Sequence, residues 1–296
     1  MVKININELG DRVIRSCDVD IDLRTPVKTE DDGLLYKTVD NKKLVRIISR
    51  SERDGFQKEI FEKLLEPKEI RGVVTPSNIM VVHNDIIGYT MDNITGVDDI
   101  TYEEKLDSSV KNNLHRIAHK YQELESIVKD AGRDVVFPSL LDRKCMIIDK
   151  QEKINLINYD DIQIENQRAL SRSKALSNDK GVVSPAEKYY REPSLKSSGP
   201  LYTKELDKRS LIQYFLLLAF NLDISQMPYQ TICKDALGGN EYDETLYKKI
   251  MTIYSSLPTE YIGEDVKRIA DEYNLVDCHR KDNGITRKLV RKWMEY

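Results

Sequence analysis

A strong charge of one sign is missing from this chain. Its 296 residues carry 46 Lys and Arg against 50 Asp and Glu, a formal net charge of -4, which gives no reason to expect a nucleic-acid partner. Long hydrophobic runs are missing too. None approaches the roughly 20 residues needed to span a bilayer, so no membrane partner is expected, and the N-terminal stretch has no apolar core of the kind a secretory signal carries. Cysteine is scarce: Cys17, Cys145, Cys233 and Cys278 are widely separated. They form no C-x-x-C pair, so neither a zinc site nor a disulfide framework is indicated, and a reduced, cytoplasmic setting fits best. Several signature motifs are absent as well. There is no Walker loop and no G-x-S-x-G elbow. His115 and His119 have the spacing of an H-E-x-x-H zinc motif, but Arg116 stands where that motif needs Glu, and two flanking surface histidines are the plainer reading.

What is present describes a soluble globular chain. It is 40% hydrophobic and 32% charged, within the usual range for folded domains, and long enough for one large domain or two modest ones. The first part reads as strands with one helix. Residues 34–39 and 44–48 are short, β-branched runs separated by Asp40, Asn41 and Lys42, which predicts a hairpin. Phe56, Ile60, Phe61, Leu64 and Leu65 recur at helical spacing, with Pro67 as a stop. Residues 79–82 and 86–91 predict a second hairpin, turning at His83, Asn84 and Asp85.

The character then changes near residues 96–99. Leu106, Val110, Leu114, Ile117, Ala118, Tyr121, Leu124, Ile127 and Val128 step by three and four, the clearest amphipathic pattern in the chain, closed by Gly132. Residues 145–148 and 154–157 predict a small hairpin. Residues 166–200 lack any period and read as a long loop; within them, 168–196 hold seven basic residues against three acids, by default a solvated face. Residues 211–220 are apolar nearly throughout, as a buried helix is. Further helical patterns occupy 246–257, 261–275 and 285–294.

This order, with these residues at the joints, resembles the protein-kinase fold over roughly residues 30–225. Leu44, Val45, Arg46, Ile47 and Ile48 look like the third strand of the small lobe. Phe56 through Ile60 look like the helix carrying the family's ion-pairing glutamate, a role that falls on Glu59. Gly88 through Asp92 look like the strand leading into the hinge. Residues 135–148 look like the catalytic loop and the strand after it, and Asn158, Tyr159 and Asp160 stand where the family has D-F-G. Leu206, Asp207, Lys208, Arg209 and Ser210 resemble the start of the large lobe's buried helix. The resemblance implies an α+β, two-lobed fold: a β-rich lobe with one helix over 1–97 and a mainly helical lobe over 98–296. It also implies ATP and Mg as the cofactors to look for.

Phosphoryl transfer needs a phosphate cradle, a neutralising cation, carboxylates for the metal and a group that orients the acceptor hydroxyl. The glycine-rich loop is gone, for residues 23–35 contain only Gly33. The strand lysine is gone. One register puts Arg46 in its place and another puts Ile48 there, two positions on one strand face. Arg46 would supply a planar cation rather than an ammonium, or it is simply a surface or interface arginine. Glu59 would pair with that cation, or it is a solvated helix glutamate. In the catalytic loop, Leu140 stands for the aspartate and Cys145 for the metal-binding asparagine, and neither does that chemistry. Asp142, two residues on from Leu140, is the substitute base, or an ordinary loop acid. Asn158 replaces the metal-binding aspartate, with Asp160 or Asp161 next to it as an alternative magnesium ligand; the competing reading is a polar turn. Asp207 would be a scaffold residue and a helix N-cap. Three readings follow. The first is a kinase-like protein with impaired catalysis that binds or regulates another protein. The second is an active atypical ATP-dependent phosphotransferase using Arg46, Asp142 and Asp160 in displaced roles, with nucleotide as a partner. The third is an interaction protein unrelated to kinases.

Overall fold

The computed structural model describes residues 12–24, 28–30, 33–48, 57–83, 85–107, 110, 113–167, 169, 201–220, 264 and 267. Within them the chain is α+β. Its strands are β1 (Val13–Arg15), β2 (Ile21–Asp22), β3 (Lys28–Glu30), β4 (Gly33–Thr38), β5 (Lys43–Ile48), β6 (Pro76–Val82), β7 (Asp85–Asp92), β8 (Gly96–Asp98), β9 (Val135–Val136), β10 (Met146–Asp149), β11 (Ile154–Leu156) and β12 (Gln163–Ile164). Its helices are α1 (Gln57–Leu65), α2 (Asp99–Lys105), α3 (Leu114–Asp130) and α4 (Glu205–Phe220). No helix among the described residues is long and apolar enough to cross a membrane.

The chain divides into two compact units. The first comprises Met1–Tyr102 with Asp130–Ser171, the second Glu103–Lys129 with Arg172–Tyr296. In the first, seven strands form one sheet in the order β1-β6-β7-β5-β4-β2, with β3 also on β4. Only β1 is parallel to its neighbour. The expected hairpins form where the turn chemistry allows them. Asn41 and His83 take positive φ, 58° and 49°, the left-handed region in which Asn and His are enriched among non-glycine residues. α1 stops at Leu65, two residues before Pro67, because the proline ring disfavours helical geometry in the residue before it. β10 pairs with both β11 and β8, and β12 pairs with β9. The end of β11 is tied to the approach to β6, since Leu156 N–H donates to the Gly72 carbonyl and Val74 N–H to the Leu156 carbonyl, each at 2.8 Å. That stitching brings the turn after β11 under the large sheet.

In the second unit, α3 buries Ile117, Ala118, Tyr121, Leu124 and Val128, the stripe that a 3.6-residue period predicts. α4 buries Leu206, Leu211, Tyr214 and Phe215. Tyr121 and Phe215 meet edge to face, centroids 5.9 Å apart, an arrangement worth about 1 kcal/mol beyond its buried area. The helical pattern that began at Leu106 does not make one helix. Asn113 Oδ1 accepts the N–H groups of His115 and Arg116 at 2.9 and 3.2 Å, so α3 starts at Leu114, with Leu106 beyond the end of α2. An asparagine that satisfies these orphan donors contributes about 1 kcal/mol as a cap, which favours a new start over a continuous helix. Asp207, 0% exposed, pairs with Lys204 at 2.9 Å. The helical patterns at 246–257 and 285–294 lie outside the described residues. So do 261–275, apart from Glu264 and Lys267, which are helical, and the loop pattern after Ala169.

Candidate functional site

Strand register places a cation inside the sheet's packing face. Arg46 of β5 sits opposite Leu35 of β4 and Tyr89 of β7, and Tyr89 sits opposite Ile79 of β6. Residues paired directly across strands share a face, so one row reads Leu35, Arg46, Tyr89, Ile79. All four are at most 1% exposed. The approach of β7 to β5 depends on Gly88, where an added Cβ would lie 1.9 Å from the Arg46 carbonyl oxygen.

A guanidinium so deeply buried is costly unless it is paired. One partner is Asp160, 1% exposed, in the middle of the 3-10 turn Tyr159–Asp161 that follows β11. Arg46 donates to Asp160 Oδ2 through Nε at 3.3 Å and Nη2 at 3.2 Å. The Tyr89 hydroxyl donates to Oδ1 at 2.5 Å. Lys63 of α1, also buried, donates to the Asp160 backbone carbonyl at 2.9 Å. Burial, and then the charge on Asp160, push the Tyr89 hydroxyl well above its ordinary pKa of 10, against the pull of Arg46. Tyr89 is therefore a fixed protonated donor at neutral pH. Removing one member of a buried pair of this kind costs about 3–5 kcal/mol.

The turn sends its neighbours elsewhere. Asn158 donates through Nδ2 to Cys145 Sγ and to Asp161 Oδ2, the latter at 3.2 Å. The Tyr159 hydroxyl accepts from Lys68 N–H at 2.7 Å and donates to the Lys68 carbonyl at 3.3 Å; burial pushes its pKa up to about 12. Ser139, Leu140, Cys145, Asn158 and Asp161 line a cavity of about 20 Å³, room for about one water molecule.

The positions singled out in the sequence thus fall into two groups. Leu140, Cys145 and Asn158 meet at the small cavity, whereas Arg46 and Asp160 meet each other. Ile48, one step along the same strand face, is a buried apolar residue, so the buried ion pair uses Arg46. Asp142 is buried and caps the short turn Arg143–Cys145 by accepting Lys144 N–H at 3.1 Å. Glu59 lies in α1; its side chain, and with it the expected pairing with Arg46, is outside the described residues.

Three residues of the cluster escaped sequence reasoning. Lys63 follows Phe56 and Ile60 at helical spacing and precedes Leu64, so it shares the helix face of the apolar stripe; a lysine in that register is the signal. Tyr89 becomes a partner of Arg46 only once the register of β5 on β7 is known. Gly88 carries no local signal beyond being a glycine inside a strand, which points to close backbone approach.

Magnesium-bound nucleotide does not fit Arg46 and Asp160 as they stand. The cation is neutralised internally, and both carboxylate oxygens accept hydrogen bonds from side chains that are themselves buried. Among the described residues, no group of three or more His, Cys, Asp or Glu side chains is placed to hold a metal ion. Compared with known proteins, the chain matches no protein-family model and no curated sequence.

Proposed function

We propose that this chain is a two-lobed, protein-kinase-like module with impaired phosphoryl transfer, working by binding or regulating another protein. The carrying observation is the buried Arg46–Asp160 pair. The cation that would neutralise phosphate and the acid that would hold metal are bonded to each other. Catalysis of this type is mostly positioning and charge stabilisation, so a site whose charges cancel internally has lost its main tool. Support for kinase likeness comes from element order. A hairpin (β4, β5) leads to α1, a second hairpin (β6, β7), a short strand and helices α2 and α3; the small hairpin β10–β11 follows, then the turn bearing Asp160 and finally α4. The resemblance implies this order with one long helix where α2 and α3 stand. The internal pairing at Asp160 favours impaired catalysis over an active phosphotransferase using displaced residues.

The test is thermal unfolding of the purified chain with ATP and magnesium. A ligand at one hundred times its dissociation constant stabilises by about 2.7 kcal/mol. No shift at millimolar nucleotide is expected. A clear shift that is abolished in Asp160→Ala would replace this reading with the enzymatic one.

A further inference from the structure

We propose that residues 13–22 are a clasp across the large sheet that closes and opens as one unit. β1 and β2 stand at opposite ends of the strand order, β1 on β6 and β2 on β4. Only Ser16–Asp20 joins them. In a flat sheet the five strand spacings between them would measure about 24 Å. The six Cα steps from Arg15 to Ile21 reach at most about 20–22 Å. The reach is shorter still because Ser16–Asp18 is a 3-10 turn, which rises only about 2 Å per residue. The sheet is therefore curled, and one continuous segment ties its first edge to its last.

The clasp is fixed at both ends. At one, Val13, Ile14 and Arg15 run parallel to Ile79, Met80 and Val81, and the Arg12 guanidinium donates to the Leu65 carbonyl at the end of α1. At the other, Ile21 and Asp22 pair with Thr38 and Lys37, and Val39 N–H donates to the Asp20 carbonyl at 2.9 Å. None of residues 13–22 is buried. β5 and β7, in the middle of the same sheet, bury Leu44, Val45, Ile48, Ile86, Tyr89 and Met91. Segments with few buried apolar contacts open locally, at less than the free energy of global unfolding. Because no residue between the two ends is buried, nothing in the core holds one end when the other leaves, and the two open together. Closed, the clasp covers the outer edge of β6 and the Lys37–Thr38 end of β4. Such edges carry the backbone donors and acceptors with which another strand would pair. This holds whether or not the kinase-like reading does, because it uses the geometry of the sheet alone.

The test is amide hydrogen exchange of the whole chain, read strand by strand. In the wild type, β1 and β2 are expected to share similar protection factors, lower than those of β5 and β7. Arg12→Ala removes an anchor at the β1 end only. It should speed exchange of β2, on the far edge, by the same factor as β1, about 2- to 10-fold, with β5 and β7 unchanged. Ile21→Gly weakens the β2 end and should speed β1 in the same way; if it does not fold, Arg12→Ala decides alone. Should a folded variant leave the far strand unchanged, the two edges are independent and the proposal is overturned. Equal acceleration of β5 and β7 would be a global loss of stability and also overturn it. So would β1 and β2 amides that are unprotected in the wild type, because there would then be no clasp to open. No arm contains nucleotide, so this idea and the kinase-like reading can fail separately.

Discussion

Each unit of this protein contains an acidic residue held by two basic side chains, and the two clusters are built differently. In the first unit, Asp160 takes Arg46 on its side chain and Lys63 on its backbone, with partners 114 and 97 residues away. In the second, Glu103 takes both nitrogens of a bidentate Arg116 and the ammonium of Lys120, only 13 and 17 residues on. Asp160 and Arg46 are 1% exposed, whereas the Glu103 side chain is 15% exposed. The same charges should therefore carry different weights. A sealed pair has given up its hydration and depends on its partner, while a carboxylate that keeps some contact with water depends on it less. The local cluster is a bonus to helix packing, and the long-range cluster is a condition of the sheet's core.

The largest expected effect breaks that contrast directly. Asp160→Ala should cost about 4 kcal/mol in denaturant unfolding, against about 1–2 kcal/mol for Glu103→Ala. Equal losses would mean that burial does not set the weight of these pairs. Next comes Gly88→Ala, in which the new methyl group meets the Arg46 backbone. The clash forces β7 away from β5 at a cost of about 3 kcal/mol, and the variant should lose slow amide exchange in both strands. Tyr89→Phe keeps the ring and removes one donor to the buried carboxylate, which should cost about 1–3 kcal/mol. The mildest effect sharpens the other side of the comparison. Burial raises the Glu103 carboxyl pKa, but the hydrogen bonds and charges of Arg116 and Lys120 outweigh it and hold it below its ordinary value of 4.5. A depressed folded-state pKa contributes stability above the unfolded value, and that stability is lost as pH falls through the folded one. Glu103→Gln should therefore lower stability at neutral pH, by no more than Glu103→Ala does, and flatten the decline below about pH 4.5.

Much of the scaffold could be read from local pattern. Both large hairpins, α1, the small hairpin and the apolar stretch of α4 lie within a few residues of where alternation and 3.6-residue spacing put them. Those signals are local, and packing did not overrule them. The long helix expected from Leu106 failed at one residue, because apolar spacing is blind to a cap and Asn113 is one. Short strands such as β1, β9 and β12 were also missed. Two or three residues are too few to show a period, and they are strands only because a partner lies beside them.

The site was legible in a different sense. Arg46, Asp160, Asn158 and Asp142 were all marked as chemically interesting, as were Cys145 and Asp161, but the pairing of Arg46 with Asp160 and of Asn158 with Cys145 and Asp161 was not. Asp142 is spent on a turn and Asn158 on Cys145 and Asp161. Asp160, weighed as a metal ligand, is bonded to Arg46.

What the sequence by itself determined is therefore most of the longer elements and the lack of a G-x-G-x-x-G loop, a Walker loop or a G-x-S-x-G elbow. Only the tertiary structure decided what the buried charges do. A charge buried at the meeting of a sheet, a helix and a distant turn is defined by neighbours that chain order does not encode. In a low-dielectric interior, those neighbours decide whether an acid is free to bind a metal or is already held by an arginine.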